Sequence, residues 1–262
     1  MKEHIIEILH QTEQQYDIKI LYACEAGSRT WGIVSPDSDF DIRFIYIHKK
    51  DWYLSIDQKR DVLEIPKHDQ VDCPVDPLID MSGWELTKAL RLFRKSNPGL
   101  LEWLHSGIIY IQKYSFLEKM HQLETSIFSP IPCIYHYVKM AKGNYKTLQE
   151  KGPNSKIYIN IIRPLLMAKF IETNKCMGNL NLYHLIQELI PNGEIKKIIE
   201  NIIHLKSSGQ KAINQSIELD RYIKNELDNI EENALTLQTK LHNPTKELDI
   251  FFRKTLAKVW DK

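Results

Sequence analysis

The sequence predicts an α+β protein in which an N-terminal sheet with helices is followed by a C-terminal helical bundle. Two observations carry this. Between residues 18 and 47, two apolar runs flank a Gly-Ser turn and a polar segment, the pattern of strand, turn, strand. From about Tyr114 the pattern changes to long stretches of helical periodicity, separated by Pro130, Pro132, Gly152-Pro153 and Pro191-Asn192-Gly193. The expected division is residues 1–112 for the sheet domain and 113–262 for the helical one.

Residues 3–16 place Ile5, Ile6, Leu9 and Tyr16 on one helical face, a packing helix. The run IKILYACEA, residues 18–26, is a strand that delivers Gly27-Ser28. Glycine admits close approach of a ligand to backbone, and the following amides with the Ser28 hydroxyl can hold an anion such as phosphate. Arg29 either contacts phosphate oxygens bidentately or pairs with Glu25 or Asp37. Ser35-Pro36-Asp37-Ser38 is turn chemistry that sets how the next strand enters.

In that strand Asp39 and Asp41 point to one face, while Phe40, Ile42 and Phe44 point to the core. Two adjacent carboxylates repel unless a divalent cation such as Mg²⁺ lies between them. Arg43 lies in phase with them, able to balance their charge or reach a phosphate. A phosphate cradle and a carboxylate pair this close together point to metal-assisted chemistry on a nucleoside triphosphate.

Residues 48–70 read as a loop with a short hairpin, and residues 71–81 as apolar chain punctuated by Asp72, Asp76 and Asp80. Gly83-Trp84 is expected to open a helix with the stripe Leu86, Ala89, Leu90 and Phe93, stopped at Asn97-Pro98. A short helix follows over residues 100–105. Further helices are expected over 118–128, 134–149, 156–172, 182–190, 195–205, 212–227 and 245–260. From Lys139 to Lys169 there are seven Lys or Arg residues against one acidic residue, Glu150. Lys156 and Arg163, seven apart and so on one helical face, are candidates to hold a triphosphate or an RNA end. The acidic stretch from 218 to 232 is expected to face solvent.

Lys+Arg of 35 against Asp+Glu of 34 leaves a formal charge of +1, which argues against wrapping long nucleic acid. It suits a small ligand or one nucleic-acid end. The four cysteines are far apart and lack metal or redox spacing, so they are expected to be reduced and partly buried. No run suits a signal peptide or a membrane span, and a cytoplasmic location without a membrane partner is expected.

Gly27-Ser28, the eleven-residue step to Asp39, and the words GSRTWG and SPDSDFDIRFIYI resemble nucleotidyltransferases of the DNA polymerase beta superfamily. The nearer likeness is to stand-alone bacterial and phage members, some linked to RNA repair. GWELTKALRLFRKSNPGLLEWLHSGIIY resembles a segment particular to that subgroup, and HYVKMAKGNYKTL and KIYINIIRPLLMAKFI are similar to its helical segments.

The resemblance implies a polymerase-beta-like mixed sheet and transfer of a nucleoside monophosphate from NTP to a hydroxyl. It implies Mg²⁺ or Mn²⁺ on Asp39, Asp41 and a third carboxylate. Ile79-Asp80-Met81 fits that third position best, with Asp80 also the candidate base and Asp76 the runner-up. Gly27 and Ser28 would hold the outgoing phosphates, and the helical half would supply base and phosphate contacts. The acceptor is an RNA 3′ end, a protein hydroxyl or a small molecule. A nucleotide-binding protein without turnover and a phosphohydrolase using the same metal pair are the competing readings.

Overall fold

The computed structural model describes residues 1–237 and 243–261. Its sheet has five strands in the order β3-β4-β2-β1-β5: β1 (Lys19–Glu25), β2 (Phe40–Ile47), β3 (Val62–Ile65), β4 (Ile79–Glu85) and β5 (Ile109–Gln112). Only β2 and β4 run parallel; β1–β2, β1–β5 and β3–β4 are antiparallel. A mixed sheet is what the resemblance implies.

Alternation decides which face of β2 is which. Ile42, Phe44 and Tyr46 join the core, where Ile5, Ile8 and Leu9 of α1 (Lys2–Gln15) cover them, whereas Asp41 and Arg43 lie on the other face. Ile8 takes the buried place expected for Ile6, which is only half-buried. Glu13, also on the buried side of α1, is satisfied there: its carboxylate accepts from the Ile20 amide at 2.7 Å and pairs with Lys113 at 3.1 Å.

Gly83 and Trp84 belong to β4 and do not open a helix. In the parallel register Gly83 lies opposite Phe44, and a Cβ on Gly83 would meet the Phe44 ring at 2.2 Å. The missing side chain makes room for the ring, so the glycine is a packing device inside a strand rather than a helix start. Helix α4 (Leu86–Phe93) begins after Glu85, whose carboxylate accepts from the Thr87 amide at 2.7 Å. Its stripe Leu86, Ala89, Leu90 and Phe93 is buried as expected. Asn97 caps α5 (Pro98–Leu104), accepting from the Leu100 amide at 3.0 Å.

The remaining elements are α2 (Gly27–Thr30), α3 (Lys50–Tyr53), α6 (Phe116–Ile127), α7 (Pro130–Lys151), α8 (Ser155–Asn174), α9 (Leu182–Leu189), α10 (Glu194–Ser207), α11 (Ile217–Ala234) and α12 (Thr245–Trp260). Pro130 marks the boundary between α6 and α7 as expected, and both it and Pro132 sit inside the first turn of α7, where a missing amide hydrogen costs nothing. Ser216 caps α11, accepting from the Leu219 amide at 3.2 Å, so that helix starts later than expected. Helix α8 is apolar on nearly every side and forms the axis of the bundle, against which α7, α9, α10 and α11 pack.

By packing, the chain divides into two compact units. One holds Met1–Gly27, Asp39–Phe128 and Leu241–Lys262; the other holds Ser28–Ser38 and Ser129–Lys240. The sequence placed the change at 112/113; here α6 packs with the first unit and the change falls at Phe128/Ser129, with α12 again in the first. No disulfide joins the cysteines, of which Cys24 and Cys133 are buried. Among the described residues no helix is long and apolar enough to cross a membrane.

Candidate active site

The parallel pairing of β2 and β4 sets Asp41 directly opposite Asp80. Arg43, two residues along β2 and therefore on the same face, reaches both: Nη2 lies 2.8 Å from Asp41 Oδ1 and Nη1 lies 2.9 Å from Asp80 Oδ2. Nη1 also donates to the Asp80 carbonyl at 3.2 Å. Asp39, exposed just before β2, adds a third negative charge that acts on Asp41.

One guanidinium thus serves two carboxylates with a third charge close by, and the balance is visible in Asp41. Burial raises its pKa above the ordinary carboxylate range; Arg43 opposes this, and the charges of Asp80 and Asp39 reinforce it. Hard oxygen donors with excess negative charge fit a cation such as Mg²⁺ or Mn²⁺. Asp76 is outside this group. Its Oδ1 accepts from the Leu78 amide at 2.8 Å and its carbonyl from the Ile79 amide at 2.9 Å, which closes the turn into β4.

Gly27 has φ +62°, and a Cβ there would lie 2.1 Å from Asp41 Oδ2. Both the conformation and the contact demand glycine. Two hydrogen bonds hold the backbone here: the Ala26 amide donates to the Asp41 carbonyl at 2.8 Å, and the Asp41 amide donates to Glu25 Oε1 at 2.8 Å. Glu25 is fully buried; its other oxygen accepts from the Tyr110 hydroxyl, and its carbonyl accepts from Ser106 Oγ at 2.6 Å. Glu25 and Tyr110 position Asp41, and the sequence reading assigned neither this role. The available signal was a glutamate at the end of an otherwise apolar strand, next to the Gly-Ser pair.

The other predicted residues, Ser28, Arg29, Lys156 and Arg163, belong to the second unit. Ser28 lies in the single turn of α2 and is half-buried. Arg29 Nη2 donates to the Ser38 carbonyl at 2.9 Å, while Ser38 Oγ accepts from the Ser35 amide at 2.9 Å. The turn therefore forms as the Ser-Pro-Asp-Ser run predicts, with Arg29 bracing it.

Residues 28–38 are fastened to the bundle. The Leu182 amide donates to the Trp31 carbonyl at 2.9 Å, Lys206 Nζ donates to the Ile33 carbonyl, and the Arg163 guanidinium stacks 3.8 Å from the Trp31 ring centroid. Arg163 is 5% exposed, so it differs from the solvent-facing phosphate contact expected of it. Lys156, the second residue of α8, is exposed. Burial, aided by the Lys156 charge, lowers the Lys206 pKa. The basic bias of residues 139–169 is answered in part within the unit: Lys142 pairs with Glu231 at 2.5 Å and Lys169 with Glu226 at 2.7 Å. The acidic helix α11 therefore turns part of its charge inward against α7 and α8 rather than wholly to solvent.

Residues 1–254 match the family RlaP, described as the RNA repair pathway DNA polymerase beta family. An uncharacterized protein of Bacillus subtilis strain 168, YcgL, is 41% identical over 263 residues, which span 99% of this chain and 98% of that protein. The crystal structure of a nucleotidyltransferase-like protein from Exiguobacterium sibiricum 255-15 aligns over 88% of this chain and 75% of its own, with 11% identity and a TM-score of 0.35.

Proposed function

The chain belongs to the RNA repair pathway DNA polymerase beta family, and from that footing we propose that it transfers a nucleoside monophosphate from an NTP to a hydroxyl acceptor, releasing pyrophosphate. The observation that carries this is the register pairing of Asp41 with Asp80 beside a glycine whose missing side chain leaves Asp41 Oδ2 clear. A binding module has no need of carboxylates concentrated on one strand face around a single arginine.

In this reading Asp39, Asp41 and Asp80 hold Mg²⁺ or Mn²⁺, which supplies charge neutralisation at the transferred phosphoryl group. Asp80, half-exposed at the strand end, takes the proton of the acceptor hydroxyl. That oxygen forms a bond to the α-phosphorus as the bond from the α-phosphorus to the β-phosphate oxygen breaks, and pyrophosphate departs with the electron pair. Gly27 and Ser28 receive the outgoing phosphates through backbone amides and the Ser28 hydroxyl. Arg43 holds Asp41 and Asp80 in register, and Arg29 braces the turn behind them in sequence. Lys156 offers an exposed charge for phosphate, whereas Arg163 acts through Trp31.

The acceptor proposed is an RNA 3′ end, in keeping with the family's description. The test is incubation with each α-³²P-labelled NTP, Mg²⁺ or Mn²⁺, and a pool of tRNA, short RNA and protein, alongside an Asp39→Asn, Asp41→Asn control. Label on RNA with wild type only is the expected result. Label on protein would change the acceptor, and nucleotide binding without label in any fraction would favour a non-catalytic nucleotide-binding protein.

A further inference from the structure

The first unit contains a second convergence of ligand chemistry, built from residues that the nucleotidyl-transfer reading does not use. His105 is the residue that ends α5, its amide donating to the Leu101 carbonyl at 3.0 Å. His121 and Glu124 lie three apart on α6 and so on one face. The two helices bring the three side chains together. His105 Nε2 lies 2.8 Å from Glu124 Oε1 and 2.9 Å from Oε2, and His121 Nδ1 lies 3.4 Å from Oε2. The imidazoles meet edge to face, their centroids 5.0 Å apart.

One donor atom from each residue falls within 4.8 Å of the other two. Bonds of about 2.0–2.1 Å place neighbouring donors of a tetrahedral ion about 3.4 Å apart, so small side-chain shifts complete the geometry. The setting favours it further. Glu124 is mostly buried while both histidines keep an exposed edge, so the cluster is reachable from solvent.

We propose that His105, His121 and Glu124 bind a transition-metal ion of the Zn²⁺ class. Two nitrogens and one oxygen suit Zn²⁺, whereas Mg²⁺ selects oxygen alone. The site is thus chemically distinct from Asp39, Asp41 and Asp80, and the inference stands whether or not the chain transfers nucleotides. Its place in the fold gives it a role: it ties α5 to α6. The next residue after His105 is Ser106, whose hydroxyl holds the Glu25 carbonyl, and the Glu25 carboxylate holds the Asp41 amide.

The test is titration of chelator-treated full-length protein with Co²⁺, on an Asp39→Asn, Asp41→Asn background that removes the carboxylate site. One equivalent is expected to give ligand-field absorption in the visible, displaced by Zn²⁺, with a rise in Tm on binding. The His105→Ala, His121→Ala variant should bind more weakly by over about 100-fold, beyond the loss of an outer-shell partner. Should that variant fail to fold, His121→Gln at its more exposed position reads the same loss. Absence of a stoichiometric visible band in the unaltered cluster, or affinity unchanged by either substitution, would overturn the proposal and leave a hydrogen-bonded ion-pair cluster.

Discussion

Asp41, half-buried, and Glu124, buried, are both carboxylates with nitrogen partners at hydrogen-bond distance, yet their surroundings push them in opposite directions. Asp41 shares one guanidinium with Asp80 and feels Asp39 as well, so burial dominates and its pKa rises. Glu124 alone faces two imidazoles, and its pKa falls to about 2. Burial acts to raise both, so the difference lies in the partners each carboxylate has. A carboxylate with too few cations is costly to the fold, and such a group is retained where a bound cation will complete it.

The sharpest way to break this comparison is Asp41→Asn. Losing charge stabilisation of several kcal/mol at the transferred phosphoryl lowers transfer by about 10³-fold. Stability should not fall with it. A carboxylate whose folded pKa is raised contributes stability below its unfolded pKa, and that contribution is lost as pH rises through the folded one. At neutral pH ionised Asp41 therefore costs stability, and the asparagine should hold or raise the Tm. A clear drop in the melting curve would show that Asp41 is held for structure.

Gly27→Ala tests the same site from the backbone side. A Cβ at 2.1 Å from Asp41 Oδ2, in a left-handed conformation, displaces the carboxylate. Misplacement by about 1 Å is expected to cost about 10²-fold in transfer, with about 1–2 kcal/mol of stability from the strained backbone. Label transfer and urea denaturation on one preparation separate the two effects.

Glu124→Gln is the opposite case, with stability as the readout. The wild-type carboxylate contributes fully above its unfolded pKa near 4.5, and the contribution is lost as pH falls toward about 2. The variant should lose about 2–3 kcal/mol at neutral pH and show a flatter stability profile between those limits. Equal acid sensitivity in both proteins would contradict the assignment. Arg163→Lys is the smallest change, removing a planar cation from the Trp31 face at an expected cost of about 0.5–2 kcal/mol in thermal or chemical unfolding.

Much of this was legible in the sequence where the determinants are local. Alternation in FDIRFIYI sorted Asp41 and Arg43 from Ile42 and Phe44, and the stripe from Leu86 to Phe93 identified the buried face of α4. Turn residues marked Ser35 to Ser38, and Asn97-Pro98 marked the break after α4, although the same pair also starts α5. Gly83 was misread because its reason is Phe44, a neighbour across the sheet that no short window contains. Arg163 read as a surface cation because helical spacing reports a face but not whether Trp31 covers it. The basic run from Lys139 to Lys169 looked unbalanced because its partners, Glu226 and Glu231, arrive from α11.

The sequence by itself determined the alternation and periodicity of the elements, the glycine and serine of the turn, and the presence of Asp39, Asp41 and Asp80, because these depend on residues a few positions apart. Tertiary structure alone decided that Asp80 rather than Asp76 meets Asp41, that Glu25 and Tyr110 hold that strand end, and that His105 joins His121 and Glu124. Strand register and helix packing set those distances, and they are properties of the whole fold: a carboxylate acquires its partners and its pKa only when distant segments bury it together.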